Sequence, residues 1–162
     1  MFNMVRSIRL VALGGVAVAA IATQPALAAD TAELGVSAAV TDVCNVTTSP
    51  VAFGNIDVTT AGNVDATGGF SVTCTSGLAW TAAADAGNGT GASTAARKMM
   101  SGANLLNYAL YTDSGRTANF VSATGTGSGS AQASTIYGRV PSGQTTVPAG
   151  SYADSVTVSL TY

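Results

Sequence analysis

Apolar residues recur at every second position through this chain, and past residue 28 nowhere at helical spacing. Leu34, Val36, Ala38 and Val40 alternate with Gly35, Ser37 and Ala39. At the far end Val156, Val158, Leu160 and Tyr162 alternate with Thr157, Ser159 and Thr161. A period of two gives a strand with one apolar face. The same alternation sets Phe70, Val72 and Cys74 on one face of a strand, and Leu106, Tyr108 and Leu110 on one face of another. Further strands are expected at 41–47, 78–82, 97–100 and 135–140, with a terminal strand from Tyr152 to Tyr162. Glycine, serine and proline punctuate these runs, so about seven core strands with turns between them predict an all-β sandwich.

The first 28 residues read as a secretory signal. Arg6 and Arg9 supply the positive region, Leu10 to Ala22 is an uncharged apolar run, and Ala26-Leu27-Ala28 is a small-x-small cleavage pattern. The run is shorter than the ~20 residues that span a bilayer comfortably. An uncleaved signal anchor is the other reading. No later segment is apolar enough to cross a membrane, so stable membrane insertion is not expected. The division that follows is 1–28 signal peptide, 29–41 an N-terminal extension, and 42–162 the sandwich.

Past residue 28 four basic residues, Arg97, Lys98, Arg116 and Arg139, stand against eight acidic ones. There is no basic patch to neutralise phosphates, so nucleic acid is not an expected partner. Only 9% of the chain is charged, against the usual ~25%. A surface of Ser, Thr, Gly, Ala and Asn suits an exported structural protein. The two cysteines are Cys44 and Cys74. In an exported protein a lone pair reads as a disulfide. A metal site is the alternative, but it needs two more soft ligands, and the chain has no histidine to supply them.

Catalytic patterns are missing. Hydrolytic triads take a proton with a base, usually histidine. Lys98 has Ala95 where a Ser-x-x-Lys pair would place its serine. No Gly-rich phosphate loop follows a strand and opens a helix. The stretch Asp85 to Gly89 lacks the closing carboxylate of a calcium loop. The sequence therefore predicts no enzyme and no cofactor. Trp80 reads as a packing residue. The tract Ser122 to Ser134 reads as a flexible loop, and Asp113-Ser-Gly-Arg116 as a turn in which Gly115 supplies the permissive backbone.

The order of several local features resembles the spore coat protein U-like family, the subunits of archaic (Csu-type) chaperone–usher pili. An alternating apolar strand stops four residues before a cysteine (Leu34 to Val40, then Cys44), and Phe53-Gly54 follows. Next come Gly68 to Cys74, Tyr108 to Asp113, and Tyr-Gly-Arg-Val-Pro at 137–141. Gly150, Tyr152, Asp154, Val156 and Val158 close the pattern. The resemblance implies an incomplete immunoglobulin-like sandwich completed by donor-strand exchange, a form of β-augmentation.

It further implies Leu34, Val36, Ala38 and Val40 as donor side chains. Val156, Val158, Leu160 and Tyr162 would be one edge of the acceptor groove, and Gly150, Tyr152 and Asp154 are matched motif positions without separate roles. The implied partners are other copies or related pilus subunits, a periplasmic chaperone and an outer-membrane usher. The implied route is export to the periplasm and then the cell surface, with work in adhesion and biofilm formation. A secreted binding module or tip adhesin, and a coat-type structural protein on the same fold, are the alternatives. Independently of family, a terminal strand with no successor leaves an unpaired edge that must be covered.

Overall fold

The computed structural model describes residues 27–60 and 62–162. The signal-peptide features at Arg6, Arg9 and 10–22 lie outside the described residues. Residues up to Ala38 form one unit and Ala39–Tyr162 another. From 27 to 43 the chain carries no helix or strand.

The described residues hold eight strands and no helix: β1 (Cys44–Ser49), β2 (Val64–Cys74), β3 (Ala79–Ala84), β4 (Arg97–Ser101), β5 (Asn104–Tyr111), β6 (Ser122–Thr126), β7 (Gln132–Val140) and β8 (Val158–Thr161). Five form one sheet in the order β1-β2-β7-β5-β4. Three form a second in the order β6-β3-β8. Every ladder is antiparallel, so each strand can bury one face and keep the other wet.

The period-two reading places the core. Phe70, Val72 and Cys74 of β2 are buried, as are Leu106, Tyr108 and Leu110 of β5, with Ile136 and Val140 of β7 beside them. Trp80, Ala82 and Ala84 face them from β3, and Trp80 is a core residue as expected. Cys44 stands directly opposite Cys74 in the β1–β2 ladder, and the two form a disulfide with their Cα atoms 4.1 Å apart. A separation this short belongs to the closer, non-hydrogen-bonded kind of antiparallel pair.

Three expectations are corrected. The tract Ser122–Ser134 is not one loop: β6 and the start of β7 lie inside it. Its small residues serve packing, since a Cβ on Gly125 would run into the Trp80 indole ring. The terminal strand is also shorter than 152–162. Burial alternates from Tyr152 to Leu160, but only Val158–Thr161 joins a ladder. Upstream, Ala153 bridges to Met100 of β4, so the segment leaves the edge of one sheet before joining the edge of the other. In the turn at 113–116, Arg116 and not Gly115 takes the left-handed conformation, at φ 58°. Its guanidinium is held by the carbonyls of Gly138 and Ser114 and lies over the Tyr137 ring, 5.8 Å from the centroid.

Candidate functional site

Because β8 pairs with β3 on one side, its other edge has no strand hydrogen-bonded to it among the described residues. β1, the outer strand of the larger sheet, is likewise paired on one side. Next to these edges lies a cleft of about 860 Å³. Its floor is the inner face of the five-stranded sheet: Phe70, Ile136, Leu106, Tyr108, Leu110 and Met99. One wall is the non-strand stretch 51–58, the other the stretch 147–158.

Residue by residue, the walls follow from the sequence. Pro50 ends β1, since it has no N–H to give a ladder. The chain then lies across β2 and β7 at two glycines: a Cβ on Gly68 would stand 2.7 Å from Val51, and one on Gly138 would stand 2.6 Å from Val51 and 2.8 Å from Phe53. The Phe53 ring meets Tyr108 edge-on, with centroids 6.2 Å apart. Val51, Phe53, Ile56 and Val58 on one wall, and Tyr152, Val156 and Val158 on the other, are only half-buried. The cleft thus keeps apolar surface partly in water, which at about 25 cal/mol per Å² favours any apolar strand that covers it.

The motif positions near the C-terminus acquire distinct places. Asp154 accepts the Tyr108 hydroxyl at 2.6 Å and the backbone N–H groups of Asn88 and Ser155 at 2.7 and 2.8 Å. Burial, and then the bond to Asp154, push the Tyr108 phenol far above its ordinary value. Tyr152 donates its hydroxyl to the Pro148 carbonyl at 2.8 Å. Gly150 packs where a Cβ would come 2.8 Å from the Ser101 hydroxyl. All three line the cleft wall.

The other sequence-predicted residues divide. Val156 and Val158 line the cleft, while Leu160 is half-buried further along β8 and Tyr162 is 59% exposed. Leu34, Val36 and Val40 are 89%, 87% and 89% exposed, and Ala38 is exposed as well. The cleft lining carries two carboxylates, Asp57 and Asp154, and no lysine or arginine. Its fixed charge is therefore negative, which disfavours an acidic group in it.

Sequence reasoning missed the support beneath one wall. Arg97 of β4 is fully buried. It donates to the carbonyls of Asp85 (3.1 and 2.7 Å), Thr94 (2.7 Å) and Phe120 (2.9 Å). Burial lowers the affinity of its guanidinium for the proton. The Asp85 carboxylate accepts the N–H groups of Gly87 and Thr157 at 2.9 and 3.0 Å, and Asp85 N–H donates to Thr157 O at 3.0 Å. This cluster fastens the last segment just before β8. The available signal was parity: Arg97 shares its face of β4 with Met99, which lines the cleft.

The fold and cleft define a class, an immunoglobulin-like sandwich with an open edge beside a partly exposed apolar groove. The chain matches the Spore Coat Protein U domain over residues 30–159, and it belongs to that family. Among solved structures it is similar to a chain of the crystal structure of the CsuC–CsuE chaperone–tip adhesion subunit pre-assembly complex from archaic chaperone–usher Csu pili of Acinetobacter baumannii. The TM-score is 0.55 at 20% identity, covering 76% of this chain and 40% of that one. This chain thus spans about two fifths of that relative, and the likeness speaks to the fold. No curated protein matches.

Proposed function

We propose that the chain is a structural subunit of a surface fibre of the archaic chaperone–usher kind, and that its work is assembly, not catalysis. Residues 1–28 direct export to the periplasm and are removed. A periplasmic chaperone covers the cleft first, and an outer-membrane usher exchanges it for the 29–41 extension of another copy or a related subunit. Sandwich 42–162 is then completed by Leu34, Val36, Ala38 and Val40 of its neighbour. The finished fibre serves attachment and biofilm formation at the cell surface. Family membership and the likeness to a Csu pilus structure support this reading.

The observation that carries it is a match of chemistry. The cleft has an apolar floor and a polar, acid-bearing rim, and it is bounded by an unpaired strand edge. The extension is uncharged from Leu34 to Thr41 and apolar at every second position. Four such side chains contribute about 4–8 kcal/mol on burial before ordering costs, and main-chain pairing along β8 adds to that. Deleting residues 32–41 tests it. The shortened subunit should still co-purify with its chaperone yet form no fibre. Fibres of normal length from that deletion contradict the assignment.

A further inference from the structure

An extension that fits a neighbour's cleft can also compete for its own. Self-closure needs a hairpin in which residues 34–40 run back along the free edge of β1, with residues 41–43 as the loop. The pattern permits it. Across a loop of those three residues Val40 faces Cys44 and Ala38 faces Val46, and both Cys44 and Val46 pack against the core. The apolar face of the extension would therefore point inward. Hydrophobic parity does not choose between self and neighbour.

The local backbone does choose. Thr75, the residue after β2, grips the would-be loop. Its hydroxyl accepts the Val43 N–H at 3.1 Å and reaches the carbonyls of Thr41 and Val43, each at 3.3 Å. Its own N–H donates to Val43 O at 2.9 Å. Residues 41–43 consequently run straight on from β1 beyond Cys44. The cleft touches β1 only at Thr48 and Ser49, the opposite end of a strand about 17 Å long. Thr41-Asp42-Val43 also has no glycine, and the two residues flanking Asp42 are β-branched, which resist the positive φ that tight hairpins use.

We infer that Thr75 is a positioning residue that holds residues 41–43 extended, so that the extension is delivered to a second copy of this chain and not folded back into its own cleft. This rests on the donor-strand reading above. The experiment takes the exported protein with its disulfide intact, unfolds it in guanidinium, refolds it at matched concentrations and separates it by size. Hydrogen exchange is then read at the amides of 34–43. Wild type should give mostly multimers, with a slowly exchanging Val43 amide.

Thr75→Val keeps the β-branched shape and loses the hydroxyl. It should raise the monomer-to-multimer ratio about fivefold, the effect of losing roughly one net hydrogen bond, with amides 36–40 protected in the monomer. Thr75→Ser should behave as wild type. If Thr75→Val matches wild type while Val36→Asp blocks multimers, Thr75 has no such role and the donor reading survives. If Val36→Asp multimerises like wild type, the donor reading itself falls, and this inference with it. Should Thr75→Val not refold, the wild-type exchange decides: a Val43 amide exchanging as fast as that of Ser37 overturns the inference.

Discussion

Arg97 is a charged side chain enclosed by carbonyl oxygens, with no carboxylate at ion-pair distance among the described residues. Its planar fork meets three backbone carbonyls at once, which a lysine ammonium on a flexible stem does not reproduce. Arg97→Lys should therefore lower stability by about 2–4 kcal/mol, since it strands buried acceptors. Urea unfolding should show a lower midpoint at an unchanged slope. At the surface, Asp65 receives Arg139 side by side at 2.8 and 2.9 Å. That hydrogen-bonded pair, aided by the Arg116 charge, holds its carboxyl below the usual value. A depressed folded value means the contribution is full above the unfolded value near ~4 and is lost as pH falls through the folded one. Asp65→Asn should lower the urea midpoint at neutral pH and leave it nearly unchanged toward pH 2, so that the stability curve falls less steeply on its acid side.

At the scale of elements, the sequence was most legible where one rule acted alone. Alternation put Phe70, Val72 and Cys74 on the core face of β2, and that parity turned Cys74 toward Cys44. Replacing both cysteines by alanine should lower stability by about 3–4 kcal/mol on the chain-entropy account. Thiol titration of the denatured, unreduced protein should find none free. Legibility failed where tertiary contact overrode local composition. Ser122–Thr126 reads as linker because it is small and polar, yet Gly125 must be small to lie under Trp80. Residues 152–157 read as strand because the alternation of Val156, Val158 and Leu160 runs into them, yet the Asp85 carboxylate holds the Thr157 N–H and the Asn88 N–H holds the Asp154 side chain, which keeps this segment between the sheets. The 51–58 wall offers a sharper check. Gly138→Ala places a methyl against Val51 and Phe53 and should cost about 1–3 kcal/mol, read as a lower urea midpoint.

For the whole molecule, the proposed function joins a sheet whose edge is unpaired to the extension of another copy. The family match reaches from residue 30 to 159, so it takes in both the extension and the cleft. Acid in either partner should be disruptive. Val36→Asp would place a carboxylate in an apolar groove already rimmed by Asp57 and Asp154, and assembly should fall below detection in electron micrographs of the exported material.

The most direct measurement places a photo-activated cross-linker at position 36 in fibres assembled from an equal mixture of isotopically light and heavy subunits. The cross-linked peptides are then weighed. The account predicts links from position 36 to cleft residues such as Phe53, Ile136 or Val156, with light and heavy chains joined as often as like pairs. Links confined within single chains, or falling outside the cleft, would contradict it.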